Sequence, residues 1–319
     1  LPKITVTESI PSPHVIVIGS ANIDLCMNLA RLPIPGETLG GGKFRRTFGG
    51  KGANTAVAAA QAGGDVALIG CVGCDANGAE MLANLRAKNV KTSFMEEHPS
   101  VPTGVAFIFI DDQGQNMIGV AAGANDEVGP GRLDSLRAVL KAADLIVIQN
   151  EVPENTVEYL LQLATEDHLL VLYNCAPARR ISPHYLAAVE WLLVNESEAT
   201  EISGNPVSSL SDAEVTAQAL LGIGVKNVLV TLGSEGVCVA QEGGAIFHVS
   251  AFPVQALDTV GAGDTFCGAL AVACGEGQNL DAAVRFASAA AAISVTRLGA
   301  QNSAPNREEI EAFLKSPAT

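Results

Sequence analysis

The chain has 319 residues, enough for one large domain or for a large and a small one. Apolar residues make up 48% of it, with Trp 1 and Tyr 3, so a packed core is within reach and must be largely aliphatic. Asp+Glu 34 against Lys+Arg 19 leaves a formal charge of −15, which argues against nucleic acid and anionic membrane as main partners.

The opening 14 residues are polar and contain prolines, without the apolar centre of a signal peptide. No apolar run approaches the ~20 residues of a membrane span. Residues 15–18 form a short continuous apolar run, read as a buried parallel strand that ends in Gly19-Ser20-Ala21-Asn22-Ile23-Asp24. Polar residues at the carboxyl end of such a strand lie where α/β sheets bind ligands. Residues 25–48 change character, with a turn-rich stretch around Pro33 and Pro35 and a strand-like run at 43–48. Gly49-Gly50-Lys51-Gly52-Ala53-Asn54 follows, and lacks the GxxxxGK[ST] spacing of a Walker loop. A helix is predicted next, over 55–62.

A central strand is predicted over 66–70 and a helix around 79–88. The β-branched and aromatic run at 103–110, the turn Asp111-Asp112-Gln113-Gly114 and the return at 115–120 predict a hairpin. That hairpin and residues 25–48 are expected to form one small sheet. The return leads to Ala122-Gly123-Ala124-Asn125. Beyond it, strands predicted at 145–149, 169–173, 191–194 and 228–232 alternate with helices near 132–141, 157–165, 211–221 and 282–295. Such alternation argues for a parallel sheet covered on both faces. The polar residues after these strands, Asn150-Glu151, Asn174, Asn195 to Glu198 and Thr231 to Ser234, are candidates for a site. Two short antiparallel edge strands are expected at 237–240 and 245–249, with His248 an ordinary structural or surface residue.

The seven cysteines, Cys26, Cys71, Cys74, Cys175, Cys238, Cys267 and Cys274, are scattered and odd in number, unlike a disulfide framework. Cys71 and Cys74 form a lone CxxC with no second pair at zinc spacing. A reducing compartment fits: cytoplasm, or an organelle reached after loss of a targeting segment.

The strongest signal is Asp258-Thr259-Val260-Gly261-Ala262-Gly263-Asp264-Thr265-Phe266. Glycines permit a tight turn, and a turn feeding an apolar helix directs backbone N–H groups outward toward anions. A carboxylate at the mouth of an anion site would repel phosphate unless it had another task. The natural one is to take the proton from a hydroxyl attacking a phosphoryl group; the plainer alternative is that Asp264 caps the helix.

At this run, and at GGKGAN and AGAN, the sequence resembles the ribokinase-like (PfkB-type) carbohydrate kinases, over about residues 15–313. The resemblance implies a three-layer α/β/α domain, formed by 13–24, 49–102 and 125–319, with a small β-sheet lid from 25–48 and 103–124. It implies Asp264 as catalytic base and Gly261, Ala262 and Gly263 as the anion hole. Sugar contacts would come from Asn22, Asp24, Gly50, Lys51, Asn54, Glu151 and Asp264. ATP would lie along Asn195, Thr231, Gly233 and Ser288. Glu198 would act on Mg²⁺ through water, and an activating K⁺ would sit among Asp258, Val260, Ser294, Arg297, Gly299 and Ser303, with the Arg297 side chain turned away. The implied reaction is phosphorylation of D-ribose on its 5-hydroxyl, in a homodimer joined through the lid. Another small sugar (2-deoxyribose, fructose) or a nucleoside is the nearest alternative acceptor, and a nucleotide-binding regulator without catalysis is the alternative class.

Overall fold

The computed structural model describes residues 12–315, so most of the polar opening stretch lies outside it. In chain order its strands are β1 (His14–Ile18), β2 (Asn22–Asn28), β3 (Lys43–Gly49), β4 (Asp65–Gly73), β5 (Met95–His98), β6 (Gly104–Ile110) and β7 (Asn116–Ala121). Then come β8 (Leu145–Ile148), β9 (Val171–Asn174), β10 (Trp191–Asn195), β11 (Asn227–Thr231), β12 (Val237–Gln241) and β13 (Ile246–Val249).

The larger sheet has the order β13-β12-β11-β10-β9-β8-β1-β4-β5. It is parallel from β11 to β5, with β12 and β13 added antiparallel at one edge. The continuous apolar runs are the strands at its centre: all of Leu145–Ile148 and nearly all of β1 and β4 are buried, because helices cover both faces. The core accordingly divides into two aliphatic clusters, one on each side of the sheet.

The second sheet has the order β3-β2-β6-β7, with β2 and β6 parallel and the other pairs antiparallel. The Asp111 turn between β6 and β7 is locked by the Asp111 carboxylate, which accepts from Gln113 and Gln115 N–H at 2.9 Å each. Arg46 of β3 fastens this sheet to the main domain, donating to Asn77 at 2.8 Å and Glu80 at 2.5 Å. Phe44, Phe107, Met117, Ile118 and Val120 are exposed on it.

Several boundaries differ from the sequence reading, each for a physical reason. Asn22 and Asp24 lie in strand β2 rather than in a loop after β1. The helix after GGKGAN begins at Lys51, four residues early, so Lys51 and Asn54 occupy its first turn. Gly50 caps it at φ 89, and an added Cβ there would come within 2.7 Å of Asn22 N. The helix expected at 132–141 is two, Pro130–Ser135 and Arg137–Lys141, interrupted at Leu136. A helix that was not expected, Glu196–Ser203, starts directly after β10.

Two helices bring the halves of the site together. Lys51–Gln61 packs against Ala262–Gly275 at Gly268, where an added Cβ would lie 2.6 Å from Thr55 O and 2.7 Å from Ala59 N. The backbones touch there because alanine and glycine line both faces, and this contact sets Asp264 beside Asn54.

Candidate active site

Asp264 occupies the first turn of the helix Ala262–Gly275, whose cap Gly261 has φ 77. The N–H groups of Gly263 and Asp264 make no hydrogen bond among the described residues, whereas Ala262 N–H turns back to Thr259 O at 3.3 Å. The open donors are therefore at Gly263 and Asp264, and Ala262 contributes its backbone to the turn. Asp264 itself is 6% exposed, and its Oδ2 accepts from Asn54 Nδ2 at 2.8 Å. Burial raises its carboxyl above the usual carboxylate range, with Lys51 and Asn54 pulling the other way. Asp264 in turn keeps Lys51 firmly protonated.

A cleft of about 240 Å³ opens in front of this turn. Gly261, Gly263 and Asp264 form one wall, and Asn174, Asn195, Glu198 and Thr231, at or just past the ends of β9, β10 and β11, form another. Lys51 stands between them. Gly233 and Ser288 are not among its walls; the Ser288 hydroxyl is buried without a partner.

The Asn195–Glu198 spacing has an immediate local use. Asn195 Oδ1 accepts from Glu198 N–H at 2.9 Å and Glu198 Oε2 accepts from Asn195 N–H at 2.8 Å, a reciprocal capping box for the helix Glu196–Ser203. The same box aims Glu198 into the cleft. Burial raises its carboxyl, opposed by the Asn195 N–H and by Lys51. One oxygen thus takes no donor among the described residues, which suits water-mediated contact with a phosphate-bound Mg²⁺. No cluster of three His, Cys, Asp or Glu side chains forms a metal cage among the described residues.

On the other side of Lys51 lie the expected sugar contacts. Glu151 Oε2 accepts from Lys51 N–H at 3.0 Å and from the buried Ser20 hydroxyl. Asp24 feels both Glu151 and Asp264 and is driven up to about 7, chiefly by burial and then by those two charges. Asn22 lies at the start of β2, beside Gly50. The Asn54 NH₂ donates to Asp264, and the atom left without a partner is its buried Oδ1. A hydroxyl donating to that oxygen would lie next to Asp264.

The loops around Asp258 also meet. Asp258 Oδ1 accepts from Val260 N–H and Oδ2 from Gly299 N–H, both at 3.0 Å, joining the stretch before the turn to the segment after the helix Leu280–Ser294. The Ser294 and Ser303 hydroxyls donate to the carbonyls of Ala291 and Ala300. The Arg297 side chain pairs with Glu309 and its N–H donates to Ser294 O at 3.0 Å, while its carbonyl takes no hydrogen bond among the described residues. These groups offer oxygen ligands of the kind an alkali cation takes. Elsewhere, Cys71 is buried in β4 and Cys74 exposed beyond it, and His248 is bonded to Glu235 O at 2.6 Å.

Sequence reasoning missed Ser20 and Thr259, the latter a further cleft wall. It noted AGAN without giving Asn125 a role, although Asn125 contacts Ala21 and Asn22.

A doubly covered parallel sheet, a helix N-terminus with open N–H donors and a buried carboxylate beside it define a phosphoryl-transfer enzyme of the α/β class. Residues 12–307 match the pfkB family carbohydrate kinases, and the chain belongs to that family. It is 37% identical over 299 residues to a ribokinase of Haemophilus influenzae, covering 94% of this chain and 97% of that protein. It is 35% identical over 299 residues to a deoxyribokinase of Salmonella typhi, covering 93% and 97%. The structure of Arabidopsis thaliana ribokinase complexed with ribose and ATP superposes with a TM-score of 0.89 at 31% identity, covering 96% of this chain and all of that one.

Proposed function

We propose that this chain transfers the γ-phosphoryl group of ATP to the 5-hydroxyl of D-ribose, giving D-ribose 5-phosphate and ADP. The observation that carries the reading is the position of Asp264, between a cleft walled by the ends of β9 to β11 and a group of hydrogen-bonding side chains suited to a polyol. The full-length similarity to a ribokinase supports the choice of sugar.

In this reading Asp264, ionised, accepts the proton of the attacking hydroxyl, held by Asn54 in the orientation that the reaction needs. The Gly263 and Asp264 N–H groups and the Lys51 charge meet the negative charge that develops on the transferred group. Asp24 and Glu151 accept from sugar hydroxyls, and Gly50 lets the sugar approach the backbone. Mg²⁺, held by the nucleotide and by Glu198 through water, would supply further neutralisation on the phosphates. K⁺ near Asp258 would order the turn ahead of Asp264 without touching substrate.

Two copies are proposed to pair through the exposed apolar face of the lid, which a lone sheet would leave in water. Free cysteines support a reducing compartment, for which we propose the cytoplasm; among the described residues no helix is long and apolar enough to cross a membrane.

The Salmonella similarity favours 2-deoxyribose as the second reading. A panel of ribose, 2-deoxyribose, fructose and adenosine decides. Losing a hydroxyl strands buried partners at about 1–3 kcal/mol, so ribose is expected to exceed 2-deoxyribose about tenfold or more in kcat/KM. Deoxyribose, fructose or adenosine outrunning ribose overturns the assignment of the sugar, and no ATP turnover with any of them overturns the enzyme.

A further inference from the structure

We propose that Asn125 is a positioning residue for the acceptor sugar: it fixes the side-chain amide of Asn22 so that the Asn22 NH₂ group faces the sugar. This rests on reading Asn22 as a sugar contact.

Asn125 closes the AGAN run just past β7 and is 1% exposed. Its Oδ1 accepts from Ala21 N–H at 2.9 Å, and its Nδ2 donates to Asn22 Oδ1 at 2.7 Å and to Ala122 O at 2.8 Å. Every polar atom of the amide is used, and turning it over would set N–H against N–H and oxygen against oxygen. The orientation is therefore fixed, and it fixes its neighbour. Asn22 Oδ1 is committed to Asn125, while Asn22 Nδ2 donates to no group among the described residues, although Asn22 is itself buried.

The Asn22 NH₂ is not closed in: it reaches open space, where an oxygen of the bound sugar can accept from it in place of water. Asp24 and Glu151 can only accept when ionised, so the Asn22 donor gives the pocket a polarity: one fixed donor set against acceptors. A polyol presenting an oxygen with a free lone pair at that point is selected over one that presents only a hydrogen.

The arrangement spans three of the four passages of the chain between the main domain and the lid, and the fourth, Gly49–Gly50, lies beside Asn22. Asn22 opens β2, Gly104 opens β6 as its register partner, and Asn125 follows β7. Gly104 leaves the space for the pair, since a Cβ there would collide with both Asn22 Oδ1 and Asn125 Nδ2. The direction of a sugar donor is thereby tied to the seating of the lid.

The test is a double-mutant cycle of Asn125→Asp with Asn22→Ala, with ribose and ATP varied separately. The aspartate keeps an acceptor for Ala21 N–H and removes the donor to Asn22, which frees the Asn22 amide to turn. Asn125→Asp is expected to raise the KM for ribose roughly tenfold or more, with kcat and the KM for ATP within about threefold. In the Asn22→Ala background the same change should add less than about twofold. An equal rise in both backgrounds, or a fall in kcat without a change in KM, overturns the proposal. If the parent prefers another sugar of the panel, the ribose assignment fails, and the cycle on that sugar still decides the role of Asn125. Should Asn125→Asp not fold, side-chain amide NMR of the parent decides. The Asn22 NH₂ signal, identified by its loss in Asn22→Ala, is expected to shift on saturation with the preferred sugar in the absence of ATP; an unmoved signal overturns the proposal.

Discussion

Replacing Asp264 by Asn removes the ionisable group with little change of shape. In the parent, Oδ2 accepts from Asn54 Nδ2 at 2.8 Å in a site that is 6% exposed. The amide oxygen of Asp264→Asn can keep that bond, so the contact between the helices Lys51–Gln61 and Ala262–Gly275 stays satisfied. What disappears is the capacity to take a proton. A general base contributes about 10²–10⁴-fold, so kcat is expected to fall by at least ~10², or about 2.7 kcal/mol of barrier. Ribose and ATP should still bind, as calorimetry can check, and the melting temperature should confirm the fold. The pH profile gives an independent reading. Burial raises the Asp264 carboxyl, and the base must be ionised, so kcat in the parent should fall as pH drops through a value above the ordinary carboxylate range. That acid limb should vanish in the variant. A kcat within about threefold of the parent, or an unchanged acid limb, would refute the reasoning.

Asp24 should make the fold less stable as pH rises. Its folded value of about 7 lies above the ~3.9 of an unfolded Asp, so the folded state holds the proton more tightly and stability is lost between about pH 4 and 7. Asp24→Asn should therefore raise the melting temperature more at pH 8 than at pH 5; an equal or reversed difference rules this out. Potassium should raise kcat above its value in a large organic cation at matched ionic strength, and equal rates would remove the role given to the Asp258 loops. Sedimentation at micromolar protein should show a dimer, and a fully active monomer would break the proposed link between lid pairing and the site.

Sequence legibility followed burial. Strands β1, β4 and β8 were readable because both their faces are covered, which writes them as unbroken apolar runs. β2 was not: Asn22 and Asp24 interrupt its apolar pattern, so polar strand residues read as a loop. The helix at Lys51 started early for a related reason. Its cap is a positive-φ glycine without a side-chain hydrogen bond, and no Ser, Thr or Asp marks the boundary. Asn195 and Glu198 show the limit in another form, since the same spacing builds a capping box and directs a carboxylate into the cleft. Local sequence cannot separate the two uses. The contacts of Asn125 bridge residues 103 and 104 positions away, and only the folded chain brings them together.

The tight crossing at Gly268 separates what the core holds from what the second sheet carries. Asp264 and Asn54 ride on two helices whose backbones touch, so their relative position is anchored in the core. Asn22 and Asp24 sit on the second sheet, which meets the rest of the molecule through Arg46 and the Asn125 amide. Substitutions at Asn22 or Asp24 can therefore be made on that sheet without disturbing the helix crossing beneath Asp264.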